Sequence, residues 1–167
     1  MLIFETERIR VQRFSLADEE NFFRFNSDPE VMKFIRPPLS RQKAQSFLIE
    51  NIDYYSLNPQ FGRWAMFEKN TDYFLGTFML KHSVHLNDIE LGYALFTAYW
   101  GRGLGTESVA GGLKYAFDEL GLNTVIALTF PENVPSQKVL TKAGFSFVQE
   151  FWEEGQMLHL FRKSRKT

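Results

Sequence analysis

Three glycines on alternate positions, Gly101, Gly103 and Gly105, stand between an apolar run over residues 89–96 and a helical pattern that begins at Thr106. Glycine lets the main chain turn tightly and lets a ligand approach it closely. The first amides of a helix have no acceptor within the helix and carry partial positive charge, so a loop of this kind suits a pyrophosphate. Beyond the loop, Val109, Leu113, Ala116, Phe117 and Leu120 fall on one helix face, Gly121 terminates the helix, and residues 124–130 read as a second strand. A strand–helix–strand crossover implies a locally parallel strand pair.

The remaining pattern is antiparallel. Residues 8–14 alternate polar and apolar, 61–68 and 73–80 form two strands around a loop at 69–72, and 145–152 and 157–161 form a hairpin around Gly155. Ser15 precedes one helix and Ser40 a longer one reaching about Tyr55. Asp28-Pro29 and Pro37-Pro38 break the chain, and Asn58-Pro59 ends the longer helix. A short helix carries Pro135 in its first turn and stops before Gly144. Gly111 and Gly112, inside the central helix, call for close packing there, by the sheet in preference to a ligand. The expected fold is α+β (mixed α/β): a mostly antiparallel sheet with a central parallel pair and flanking helices, in a single domain over 1–167.

Composition narrows the function. A net charge of −1, from 19 basic and 20 acidic residues, gives no long-range field for a nucleic-acid backbone. The absence of cysteine excludes disulfides, thiolate-bound metals and a cysteine nucleophile. His82, His85 and His159 are scattered, so no metal site is expected. The apolar run at the start of the sequence is too short for a signal peptide, and no stretch approaches the ~20 apolar residues of a membrane span. A cytoplasmic protein with no membrane partner is the expectation.

Two familiar phosphate-binding motifs fit poorly. A nucleotide P-loop ends in Gly-Lys-Ser/Thr, but Gly105 is followed by Thr106 with no lysine. A dinucleotide fingerprint counted from Gly101 places Thr106 where its last glycine belongs, and the acids Asp118 and Glu119 lie within the helix.

Trp100-Gly101-Arg102-Gly103-Leu104-Gly105, followed by Thr106-Glu107, resembles the Gln/Arg-x-x-Gly-x-Gly/Ala signature of the GNAT superfamily of N-acetyltransferases. Asn133-Val134-Pro135-Ser136, followed by Val139-Leu140-Thr141-Lys142-Ala143-Gly144-Phe145, resembles its second signature. The likeness is strongest to the branch of the ribosomal-protein alanine acetyltransferases RimJ and RimL, in which an aromatic residue such as Trp100 often replaces the first Gln/Arg. It spans nearly the whole chain and includes the opening Thr6-Glu7-Arg8-Ile9-Arg10-Val11.

The resemblance implies a fold in which the 89–96 and 124–130 strands splay apart, and acetyl-CoA as the acetyl donor. Its pantetheine arm would pair with the backbone near Ala94 and Leu95. Its diphosphate would rest on the loop of Gly101, Arg102, Gly103, Leu104, Gly105 and Thr106, with Asn133 as a further contact. Amine acetylation requires a base, a site for an oxyanion and a proton donor for the leaving thiolate. Strand alternation puts Glu90 on one face with Gly92 and Ala94, and a carboxylate on this otherwise apolar strand is the first candidate base. Glu153 and Glu154, in the last hairpin, are rivals. A backbone N–H near Leu95 would hold the oxyanion, and Ser136 matches the branch's partner for sulfur.

The resemblance implies a primary amine as acceptor, either a protein N-terminus or a small molecule. In this family it is chosen by the first two helices, the loop near Phe34-Ile35-Arg36-Pro37 and the last hairpin. Oligomeric state stays open, with a homodimer possible. The alternative reading is a non-catalytic acyl-CoA-binding or regulatory module.

Overall fold

The computed structural model describes residues 1–84 and 86–166; the expectation placed on His85 lies outside them, as does Thr167. Its strands are β1 (Leu2–Glu5), β2 (Ile9–Arg13), β3 (Gly62–Glu68), β4 (Phe74–His82), β5 (Ile89–Leu95), β6 (Thr124–Thr129), β7 (Ser146–Glu153) and β8 (Gln156–Ser164). Its helices are α1 (Glu19–Ser27), α2 (Pro29–Met32), α3 (Arg41–Leu57), α4 (Leu104–Lys114) and α5 (Val134–Lys142). The strands form one sheet in the order β1-β2-β3-β4-β5-β6-β8-β7. Neighbours are antiparallel except β5 and β6, which are parallel and in register only at Glu90 and Ile126. That pairing lies near the start of both strands, so they separate toward Leu95 and Thr129. The fold is the expected α+β arrangement with a splayed parallel pair.

Strand alternation divides the core in two. Trp64 and Met66 of β3 join Phe78, Leu80, Leu91, Leu95 and Val125 on the face covered by Leu104, Val109 and Leu113 of α4 and Leu140 of α5. Ala65 and Phe67 point the other way, into a second cluster built from α1–α3 with Phe22, Phe25, Met32 and Leu48. Many of the chain's phenylalanines are spent here: Phe14, Phe22, Phe25, Phe74 and Phe96 form edge-on and tilted ring pairs 5.0–6.0 Å apart.

The structure departs from the sequence expectation in four places. Leu2–Glu5 forms an added strand, pinned to β2 by a turn in which Thr6 N donates to Ile9 O at 2.9 Å. Asp28-Pro29 opens the short helix α2, because the Asp28 side chain accepts from Glu30 N at 2.9 Å and proline fits a first helical turn. Helix α4 begins at Leu104, and after Lys114 it widens into a π-type turn over Tyr115–Glu119, closed by Leu120 N on Tyr115 O at 3.1 Å. Strand β8 runs on to Ser164, paired with β6 from His159 to Ser164.

Gly111 and Gly112 are filled by the sheet, as expected. A Cβ on Gly112 would lie 2.0 Å from Phe78 Cζ, and one on Gly111 would lie 2.5 Å from Thr6 Cγ2.

Candidate active site

The glycine loop ends in a helix whose first donors are left open. Gly101 and Gly103 hold φ of 71° and 77°, the left-handed region that favours glycine. Gly103 is the N-cap of α4 and has no side chain to offer, so no side-chain cap satisfies the first turn. The first backbone bond of the helix is Glu107 N on Gly103 O at 3.0 Å. The amides of Leu104, Gly105 and Thr106 are therefore available to a ligand, and around Gly101 there is nothing within 4 Å of where a Cβ would stand. Trp100, half exposed beside the loop, donates its indole N–H to the Leu95 carbonyl at 2.9 Å.

That bond settles how the end of β5 faces the splay. Phe96 N donates to Leu75 O on β4 at 2.9 Å. By alternation the N–H of Leu95 turns the opposite way, into the gap toward β6. Its carbonyl is occupied by Trp100, and its N–H is the group left to meet a ligand.

A cleft of about 240 Å³ passes through the sheet at this gap, with lining residues from both faces. Glu90, Gly92 and Ala94 line it from one face of β5, Leu91 and Tyr93 from the other, and Asn133 and Ser136 from the start of α5. Glu153 reaches it from the β7–β8 hairpin, while Phe34 and Ile35 reach it from the loop after α2. The structure thus gathers Glu90, Ala94, Asn133, Ser136 and Glu153 into one space. Leu95 is buried at its edge, and the loop from Gly101 to Thr106 forms the adjoining end of the same strand–helix unit. Glu154 is exposed in the hairpin turn with φ of 48° and is not part of the lining.

Several contacts refine these positions. Asn133 Oδ1 accepts from Ser136 N at 3.3 Å, the ordinary helix cap, so its amide N–H₂ is the donor it can offer a ligand. Lys81 stands directly opposite Glu90 across β4 and β5, with its ammonium 4.1 Å from the Tyr54 ring centre. Thr129 Oγ1 is buried at the cleft without a hydrogen-bond partner among the described residues. A buried hydroxyl of this kind calls for a partner that the described residues do not supply.

Tyr93 and Arg63, like Thr129, are lining residues that were not singled out from the sequence. Tyr93 packs its ring on the first turn of α4, where a Cβ on Gly105 would come within 2.9 Å of it. Burial pushes the Tyr93 hydroxyl up, and the Ser136 hydroxyl beside it draws it partway back. Arg63, in register with Met79 and through it with Gly92, places a guanidinium in the cleft. Burial pulls it down to about 10, Arg36 adds to the fall, and Glu90 and Tyr55 oppose it. An arginine in the apolar run Phe61-Gly62-Arg63-Trp64-Ala65-Met66-Phe67 was the signal available in the sequence.

A sheet that opens between two parallel strands, beside a glycine-led helix with free amides, defines an acyltransferase of the GNAT class. The acetyltransferase (GNAT) domain family matches residues 8–146, and the chain belongs to that family of acyltransferase enzymes. Among its relatives is the N-acetyltransferase p20 of Bacillus licheniformis, 33% identical over 142 residues that cover 84% of this chain and 80% of that protein. A GNAT-family acetyltransferase from Bacillus anthracis superposes with a TM-score of 0.84 at 22% identity, over 98% of both chains. RimL, a ribosomal L7/L12 α-N-protein acetyltransferase solved in complex with coenzyme A, superposes with a TM-score of 0.82 at 11% identity, again over 98% of both. At these identities the two structures speak for the fold, which places RimL-like proteins among its structural neighbours.

Proposed function

We propose that this chain is an acetyl-CoA-dependent N-acetyltransferase that moves an acetyl group directly to a primary amine, with residues 1–167 working as one catalytic unit in the cytoplasm. The carrying observation is the set of open amides at Leu104, Gly105 and Thr106, beside a gap whose lining includes a buried hydroxyl without a partner among the described residues. Both features fit a ligand with a diphosphate at one end and a polar arm running into the sheet. That family relatives are N-acetyltransferases, and that RimL was solved with coenzyme A, supports the same donor here.

In this reading the loop of Gly101, Arg102 and Gly103 and the amides through Thr106 bind the diphosphate. Asn133 adds a side-chain contact, and the arm lies along β5 beside Ala94, whose own backbone pairs with Thr77 of β4, and Leu95, whose N–H faces the gap. When bound, acetyl-CoA supplies a thioester carbonyl activated toward amines. The Leu95 N–H receives the negative charge that develops on the carbonyl oxygen. Glu90 accepts a proton from the amine through water, with Glu153 on the facing wall as the rival base. Ser136, held by Tyr93, hydrogen-bonds the departing sulfur. Gly92 keeps the floor between Glu90 and Ala94 free of side chains, so an amine can reach the gap.

Calorimetry with acetyl-CoA, followed by thiol release with a panel of amines, tests this. Micromolar binding and amine-dependent release are expected. Binding with no release for any amine would leave a non-catalytic acyl-CoA module, and no binding at millimolar acetyl-CoA would end the proposal.

A further inference from the structure

We infer that the acceptor amine carries a carboxylate a few bonds from its nitrogen, and that Arg63 receives this carboxylate inside the cleft. The inference rests on the acetyltransferase reading and specifies the substrate class of the same site.

Arg63 is built into the sheet, so its position is fixed from below. Its carbonyl accepts from Asn51 Nδ2 at 3.0 Å and from the Tyr55 hydroxyl, and its strand neighbours Trp64 and Ala65 are fully buried. Its side chain faces the cleft over Met79, whose sulfur accepts from Arg63 Nη2 at 3.3 Å, and lies 5.8 Å from the Phe47 ring centre. Sulfur is a weak acceptor, and a guanidinium has five N–H donors. Among the described residues no carboxylate forms an ion pair with Arg63.

The surroundings add positive charge. Arg36 stacks on the same Phe47 ring at 4.6 Å and donates to Asn26 Oδ1. Lys81 faces Glu90 on the next row of the sheet. Of these three cations Arg63 lines the cleft, together with Glu90 and Glu153, while Arg36 and Lys81 stand behind it within electrostatic reach. Burial of Arg63 and the nearness of Arg36 both work against its charge, a strain that a bound anion relieves.

A plain alkylammonium approaching this end is repelled by Arg63. A substrate bearing both an ammonium and a carboxylate is not: its nitrogen faces Glu90 while its carboxylate meets the guanidinium fork. The geometry of the rows permits this. Glu90 and Gly92 lie two residues apart on β5, about 7 Å, and Arg63 belongs to the Gly92 row. Free amino acids and peptides that begin with an acidic residue share this chemistry.

The test compares acceptors matched except for the carboxylate, with acetyl-CoA and thiol release as readout. One series sets amino acids against their carboxamides and decarboxylated amines. The other sets Asp-initiated peptides against Asn-initiated ones and identifies the source of the carboxylate. The wild-type protein is expected to favour carboxylated acceptors at least tenfold in kcat/KM. Arg63→Gln should raise KM for those acceptors at least tenfold while lowering KM for the plain amines, which no longer meet a like charge, and Arg63→Lys should restore part of the loss. Propionate, which lacks an amine, should compete with the acceptor and not with acetyl-CoA. If Arg63→Gln fails to fold, the wild-type preference and propionate competition decide. Equal use of acids and amides, or an equal loss with every acceptor in folded Arg63→Gln, overturns the inference and leaves the acetyltransferase reading standing. No amine-dependent thiol release with any acceptor overturns both.

Discussion

Arg8 and Glu107 join the first turn of the sheet to the helix behind the glycine loop. Arg8 Nε lies 2.6 Å from Glu107 Oε2, and the same guanidinium donates through Nη1 to the Arg102 carbonyl at 2.9 Å. Glu107 also accepts from Arg8 N at 2.7 Å and from Thr6 Oγ1 at 2.6 Å. One carboxylate therefore ties β1–β2 to α4, and the arginine it holds fastens the loop at Arg102. The open amides of the first turn are kept in place by contacts on the far side from the gap.

Glu107→Gln is expected to lower stability by about 1–2 kcal/mol at neutral pH, since the carboxylate has several donors but its arginine is partly exposed. Burial pushes this carboxyl up, but the Thr6 hydroxyl and the backbone and guanidinium of Arg8 outweigh it and hold the group below its ordinary 4.5. A depressed carboxylate stabilises the fold above its unfolded pKa and loses that contribution as pH falls through the folded value. Melting curves should show a gap between wild type and variant at pH 7 that closes below about pH 4.5. A gap that stays constant to pH 3 would assign the effect to packing.

Gly112→Ala should destabilise although alanine is the better helix former. The new Cβ would stand 2.0 Å from Phe78 Cζ, and Phe78 is itself fully buried between Trp64 and Phe4. Overpacking of this kind costs about 1–3 kcal/mol, against about 1 kcal/mol gained in helix propensity. A chemical-denaturation midpoint at or above that of the wild type contradicts the packing.

Tyr93 and Ser136 should behave as a unit. If Tyr93 positions the Ser136 hydroxyl, Tyr93→Phe and Ser136→Ala each lower kcat, by an expected three- to tenfold, and the double variant is no worse than the weaker single one. KM for acetyl-CoA stays within twofold in all three, because the loop amides are untouched. Independent, multiplying losses would mean the two hydroxyls act separately.

The legibility of this site in the sequence follows the range of the interactions involved. Gly101, Gly103 and Gly105 were visible because a tight turn before a helix is local, and Glu90 with Gly92 and Ala94 because a strand alternates with period two. The Asn133 cap was readable for the same reason. Arg63 and Tyr93 were not. Arg63 enters the cleft only through the register Arg63–Met79–Gly92 across three strands, and local pattern does not specify register. Tyr93 depends on how closely α4 settles on β5, a distance set by Gly105. The two acids of the last hairpin were indistinguishable as sequence; the Glu154-Gly155 turn, with both φ positive, sends Glu153 toward the cleft and Glu154 to solvent.

That separation makes the choice of base experimentally clean. Glu90 and Glu153 reach the cleft from different strands, β5 and β7, whereas Glu154 does not line it. Glu90→Gln is expected to lower kcat by about 10²–10⁴, the usual contribution of a general base, with acetyl-CoA binding unchanged because the loop amides remain open. Glu153→Gln should cost less than tenfold, and Glu154→Gln nothing. The acidic limb of the kcat/KM profile identifies the base independently: it should vanish in the variant that removes it and persist in the other two. If the limb and most of the rate survive in Glu90→Gln but not in Glu153→Gln, the base sits on the hairpin. In that case Glu90 serves chiefly as the partner that Lys81 faces across the sheet.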